Sequence, residues 1–185
     1  MADIKRKGFG QVEPNHLSAQ RNGQIYGQLP CHIKKGEDDT VETIKILENG
    51  QFVKYDYANG EVNFTGAGEW MLVFNEVHVY DERDRYYKDF ALKADDYIGG
   101  EITPRVMKTM PGDIFTTNTI KVGNTDKNRE VVIGTDATLK VSATLGINED
   151  GFLDPDGDKA AMEWQIVKVY DMPDGQPAVK VMRIK

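Results

Sequence analysis

Between residues 41 and 80 the chain is cut into short β-rich runs by turn chemistry, and this punctuation limits its fold more than any other feature. Val41 to Leu47 is followed by Asn49-Gly50, then Gln51-Phe52-Val53-Lys54-Tyr55-Asp56-Tyr57, then Asn59-Gly60, then Glu61-Val62-Asn63-Phe64-Thr65. A two-residue hairpin turn of the primed type needs positive φ at both central residues, which Asn tolerates and Gly accepts freely. Two such pairs in succession predict a meander. The run from Trp70 to Tyr80 is dense in aromatic and branched residues and follows Gly66 and Gly68. Its length would suit a helix, but its side chains favour a long central strand.

Residues 81–93 are the most helix-like stretch, yet they also read as a charged turn followed by a returning strand, and the second reading is the one expected. The β pattern resumes with Ile102 to Met110, a turn at Pro111-Gly112-Asp113, and Ile114 to Val122. Polar loops flank Glu130 to Ile133 and Thr138 to Val141. A C-terminal hairpin follows, Met162 to Tyr170 and Ala178 to Ile184 around Pro173-Asp174-Gly175, and is expected to close the sheet. Within it, apolar residues fall at 164 and 166 and then at 167 and 169, a switch of parity that a β-bulge near Ile166 would produce. Short, evenly spaced strands of this kind predict an all-β fold, a β-sandwich or small β-barrel body. Two small β units are one form of it, residues 36–100 and 101–185, parting near Gly99-Gly100; a single continuous fold is the other.

The 185 residues suffice for one domain or two small ones, with a core that needs no staples. Cys31 is the single cysteine, so no internal disulfide and no thiolate cluster is available. No run of 18 apolar residues and no apolar leader is present, so neither membrane spanning nor secretion is expected. Charge is uneven. Residues 1–35 carry six Lys or Arg against two Asp or Glu, a net +4, which leaves −11 of the total −7 to residues 36–185. This basic head is rich in Gly, Gln and Asn, shows no sustained period, and reads as an extended arm that becomes ordered against a partner. A frayed terminus, a docking arm and a nucleic-acid tail all have this composition. The shortness of Lys5-Arg6-Lys7 and the acidic body argue against the last. Lys5, Arg6, Lys7, Phe9 and Arg21 are the candidate partner-binding residues.

No catalytic residues are assigned and no cofactor is expected. Cys31-His32 is the only nucleophile–base pair, and neighbours in an extended segment point to opposite sides. His16 lies in the arm; His78 shares parity with Glu76 and Tyr80 and reads as a surface residue. The acidic stretch from Asn148 to Asp158 resembles a calcium loop, but an EF-hand starting at Asp150 would place Pro155 where glycine is required and Ala161 where glutamate is required. It reads first as a solvated acidic turn; Asp154, Asp156 and Asp158 are the ligands if a metal binds. Gly66-Ala67-Gly68 and Gly99-Gly100 lack the Lys-Ser or Lys-Thr of a phosphate-binding loop. Trp70, Tyr55 and Tyr57 would serve a carbohydrate-binding module if exposed.

Pro104 to Asn118, with its Gly112-Asp113-Ile114-Phe115-Thr116-Thr117-Asn118 core, resembles segments of small virion structural proteins of tailed bacteriophages. The basic arm and β-rich body are similar to the head decoration proteins of that group. The resemblance implies a non-catalytic protein that binds the major capsid protein lattice and stabilises it, self-associating there as a trimer. It places the protein on the capsid exterior of the virion after synthesis in the host cytoplasm. A head-fibre or tail component and a carbohydrate- or receptor-binding β module are the alternatives.

Overall fold

The structure, a computed structural model, describes residues 4–5, 9–12, 25–31, 33–34, 41–42, 46–75, 91–96, 101–121, 132–133, 139–173 and 175–185. In chain order its strands are β1 (Ile4–Lys5), β2 (Ile25–Gln28), β3 (Ile33–Lys34), β4 (Val41–Glu42), β5 (Ile46–Glu48), β6 (Phe52–Asp56), β7 (Glu61–Asn63) and β8 (Trp70–Val73). They continue with β9 (Ala91–Lys93), β10 (Arg105–Met107), β11 (Ile114–Thr117), β12 (Val132–Ile133), β13 (Thr144–Ile147), β14 (Leu153–Asp154), β15 (Trp164–Asp171) and β16 (Pro177–Arg183). The chain is all-β, as its punctuation predicts; the described residues add only a short 3-10 turn, Ala94–Asp96.

Two curled five-stranded sheets carry the architecture, one of order β2-β10-β8-β6-β7 and one of order β11-β16-β15-β13-β14. Every pairing within them is antiparallel. Alternation along β8 sorts the interior. Trp70 and Leu72 face the second sheet and join Phe115, Trp164 and Val181 in the main core, while Met71 and Val73 face the other way and join Leu47, Leu92 and Ile102. The first sheet is therefore a middle layer, covered on its outer face by the β5-β9 pair and by the segments around Cys31 and Ile102. A strand buried on both faces needs an unbroken apolar run, and Trp70-Met71-Leu72-Val73 supplies it. The second sheet curls until its two edges are bordered by one stretch of backbone. β11 forms one edge, and beyond it Ile120 bridges Leu153 of β14 at the other, with the Lys121 N–H donating to Leu153 O at 2.9 Å. That closure satisfies backbone groups an open edge would expose.

Three expectations are corrected. The strand over Trp70 to Tyr80 is central, between β10 and β6, but ends at Val73; residues 76–80 lie outside the described ones. Asn75 stops it, because its N–H donates to Asn49 Oδ1 at 2.8 Å and its own Oδ1 accepts the Arg105 N–H at 2.8 Å, side chains replacing ladder partners. The meander forms only in its β6-β7 half. β5 pairs with β9, so Asn49-Gly50 leads from the covering layer into the first sheet instead of closing a hairpin. Asn59-Gly60 does close a hairpin, but through four loop residues, with Asp56 opposite Glu61 and positive φ at Gly60 and not at Asn59. Asp56 dictates the longer loop: Oδ1 accepts the Ala58 and Asn59 N–H groups at 3.0 and 3.3 Å, and Oδ2 accepts Asn59 Nδ2 at 3.0 Å. The bond from the Asn59 amide foremost, then these backbone bonds, hold the Asp56 carboxyl below its usual range.

Other readings stand, save the place of the C-terminal hairpin in its sheet. Ala91–Lys93 is a strand, as expected, but it pairs with β5 and not with β8; the turn before it, residues 81–90, lies outside the described residues. Met110-Pro111-Gly112-Asp113 is a type II turn, with Gly112 at φ 95° and the Asp113 N–H on Met110 O at 3.0 Å; here the backbone passes from the first sheet to the second. The β15-β16 register shifts between Ile166 and Lys168, the bulge that the parity switch predicts. The hairpin it bends lies in the middle of the second sheet, not at its closing edge, because β11 pairs on its far side.

Candidate functional site

Thr116, Thr117, Asn118 and Thr119 are four successive polar residues without solvent exposure. Buried polar groups must find partners, and these find theirs in a seam between the sheets and the N-terminal segment. Thr117 Oγ1 donates to Gln11 O at 2.7 Å and accepts the Thr119 N–H at 2.9 Å. Asn118 Oδ1 accepts the Gln11 N–H at 2.8 Å, and its Nδ2 donates to Gln176 Oε1 at 3.3 Å. Thr119 Oγ1 donates to Asn49 O at 2.6 Å. One residue earlier along the segment, the Gly10 N–H donates to the buried Glu48 Oε2 at 2.7 Å. Val12 bridges Thr117 in the antiparallel sense at the outer edge of β11 and enters the main core.

The seam thus reads the backbone of an extended segment: two N–H groups and one carbonyl are met by side chains, and one small apolar side chain is the plug. Phe9, half-buried, lies under Lys93, whose Nζ sits 5.0 Å from the ring centroid. Removing one partner of a buried hydrogen bond costs about 1–3 kcal/mol. Thr117→Val keeps the shape while stranding both Gln11 O and the Thr119 N–H. It is expected to lower stability by about 2 kcal/mol in denaturant unfolding, and to raise amide exchange at Thr119 and in Phe9–Val12 above that of β15-β16. Unchanged exchange at those amides would remove the seam as the anchor of this segment.

The candidate arm residues fall as follows. Lys5 is in β1, opposite Val132; Arg6, Lys7 and Arg21 lie outside the described residues. Of the head as a whole, Gly10, Gln11 and Val12 are buried and β2 pairs with β10, so parts of residues 1–35 are integral to the body. The acidic loop is organised by its own side chains. Asn148 Oδ1 accepts the Asp150 and Phe152 N–H groups, both at 3.0 Å. Asp154 Oδ1 accepts the Asp156 N–H at 2.8 Å, and Asp158 Oδ1 the Ala160 N–H at 2.8 Å. Asp150 pairs with Lys121 at 2.7 Å. Asp154, Asp156 and Asp158 do not converge, and no group of three His, Cys, Asp or Glu among the described residues could hold a metal.

Cys31 is fully buried beside Val62 and Ile102; burial, reinforced by the Glu61 carboxylate, pushes its thiol up to about 12, far from a reactive thiolate. His16, His32 and His78 lie outside the described residues. Trp70 is only 6% exposed, in the core with Lys54 Nζ 4.7 Å from its ring centroid, so it offers no stacking face to a sugar. Tyr57, 63% exposed, meets the partly buried Tyr55 edge to face at 4.6 Å.

No model of a known protein family, no curated protein and no solved structure matches the chain. Among the described residues no helix is long and apolar enough to cross a membrane. Sequence reasoning placed Thr116 to Thr119 in a β run from Ile114 to Val122 and missed the seam, because the strand ends at Thr117 and the partners of these side chains are far away in sequence. Its signal was composition: Thr116 to Thr119 contains no charge and sits between Ile114-Phe115 and Ile120, where a solvated loop would carry Lys, Glu or Gly.

Proposed function

We propose that the protein is a non-catalytic virion structural protein of the tailed-bacteriophage type, a capsid decoration protein that binds the major capsid protein lattice. The observation that supports this reading most is the seating of Phe9–Val12, an extended segment held through its backbone by Glu48, Thr117 and Asn118. The Gly-Asp-Ile-Phe-Thr-Thr-Asn run that carries the resemblance supplies the sheet-changing turn, β11 and two of those three side chains. The seam thus seats a head segment whose basic cluster, Lys5-Arg6-Lys7, lies just ahead of it in sequence. Copies that self-associate on a lattice repeating one contact engage it at several points at once, so modest charge complementarity per copy sums to firm attachment.

The test is co-sedimentation with empty capsids of tailed bacteriophages, at low and moderate salt. Wild type is expected to bind at a fixed ratio to the capsid subunit. The charge reversal Lys5→Glu, Arg6→Glu, Lys7→Glu is expected to weaken binding at least about tenfold at low salt, with a smaller difference as screening rises. Wild type that stays in the supernatant would overturn the reading. Unchanged binding by the reversed variant would remove the basic cluster from it.

A further inference from the structure

The two Asn-Gly pairs among the described residues share a sequence and differ in burial and in what holds them. In any such pair the glycine nitrogen, unshielded by a Cβ on its own residue, can attack the amide carbonyl carbon of the asparagine. The new C–N bond closes a five-membered imide and the Cγ–Nδ2 bond breaks, releasing ammonia. Water then opens the imide at either carbonyl, leaving an aspartyl or isoaspartyl residue. The net change is hydrolysis of one amide, with water the only co-reactant. The step needs a side chain free to turn, a glycine N–H free to lose its proton, and solvent.

Asn49-Gly50 has none of these. Asn49 is buried, its Oδ1 accepting the Asn75 N–H at 2.8 Å and its Nδ2 donating to Asn75 O at 3.1 Å. The Gly50 N–H is bonded to Val73 O at 2.9 Å, and Thr117 and Thr119 close around Gly50. Freeing this pair means opening the seam and the middle sheet together. Asn59-Gly60 sits at the tip of the β6-β7 hairpin, Asn59 exposed and no atom within 4 Å of where a Gly60 Cβ would project. What restrains it is one residue: Asp56 takes Asn59 Nδ2 on Oδ2 at 3.0 Å, the Asn59 N–H on Oδ1 at 3.3 Å, and the Gly60 N–H on its carbonyl at 2.9 Å. These are hydrogen bonds of an exposed loop, which opens at far lower free energy than the core.

We infer that Asn59 is a site of spontaneous deamidation, with Asp56 as its guard and Asn49 protected by the fold. The product carries its own consequence. A carboxylate at position 59 would replace the amide that now donates to Asp56 Oδ2, setting two negative groups against each other, and the isoaspartyl form would also lengthen the backbone of the turn. The hairpin would then loosen as the protein ages.

The third pair, Asn22-Gly23, lies outside the described residues. The experiment ages the full-length protein in mildly alkaline buffer and follows each peptide by mass spectrometry, with an isoaspartyl assay. Asn59 is expected to convert at least about tenfold faster than Asn49. Asp56→Ala is expected to speed conversion at Asn59 and leave Asn49 unchanged, while Asn59→Gln abolishes the acidic product at that peptide. Equal rates at Asn59 and Asn49 in the wild type overturn the assignment. Acceleration at both sites or at neither in Asp56→Ala removes Asp56 as the guard.

Discussion

Gly151→Ala is expected to lower stability by about 4 kcal/mol or more, a large share of the roughly 5–15 kcal/mol that keeps an ordinary domain folded. A Cβ at Gly151 would run into Phe52 O and lie 2.9 Å from Phe64 Cε1, and the residue sits at φ +79°. The left-handed backbone alone costs an L-residue about 1–2 kcal/mol. The rest comes from the clash, which neither side can relieve: the Phe52 N–H donates to Gly151 O at 2.7 Å, so the two backbones are bonded where the methyl would enter. Gly60→Ala isolates the two contributions, because Gly60 has φ +69° and open space around it. Urea unfolding of both variants is expected to show a loss of about 1 kcal/mol for Gly60→Ala and several times that for Gly151→Ala. Equal losses would mean that the loop carrying Gly151 shifts away from β6 at little cost.

This result bears on how the acidic stretch 148–158 is read. Gly151 tucks the loop against the first sheet, Gln51 Nε2 donates to Asp150 O at 3.0 Å, and Lys121 pairs with Asp150. The loop belongs to the second sheet and fastens the first, so its carboxylates and Asn148 serve turn geometry. The pattern of alternating Asp and Gly was legible in the sequence; that it braces two sheets was not, because the partner residues Gln51, Phe52 and Lys121 are far away in sequence.

The same distinction divides the fold. Features set within a few residues were readable: the all-β class, a turn at Pro111-Gly112-Asp113, the β15-β16 hairpin, and the bulge marked by the parity switch at Ile166-Val167. Features set by distant partners were not. Asn49-Gly50 has the composition of a hairpin turn, yet β5 finds β9 because Leu47 and Leu92 share the outer core, a pairing that local pattern cannot express. Asn75 looks like one more residue of a long strand until Asn49 and Arg105 claim its hydrogen bonds. The basic charge of residues 1–35 was legible in the sequence, whereas the seam that seats Phe9–Val12 joins residues 9–12, 48–49 and 117–119, three stretches that no period or motif connects.

Trp164 gives the sharpest test of the core between the sheets. It is fully buried, with its ring 4.9 Å from Phe115 at 83° and 5.7 Å from Phe52, so it joins an aromatic of its own sheet to one of the other. Trp164→Ala empties that junction and is expected to cost about 3–5 kcal/mol. Trp164→Phe is expected to cost much less, and the reason is polar: the indole Nε1–H is buried with no acceptor among the described residues. A stranded donor costs about 1–3 kcal/mol, so deleting it offsets much of the lost packing of the second ring. Chemical denaturation of the two variants should therefore separate them by about 2–3 kcal/mol. A phenylalanine variant as unstable as the alanine one would show that the indole N–H is satisfied, by a buried water or by a neighbour, and that the junction depends on this bond as well as on packing.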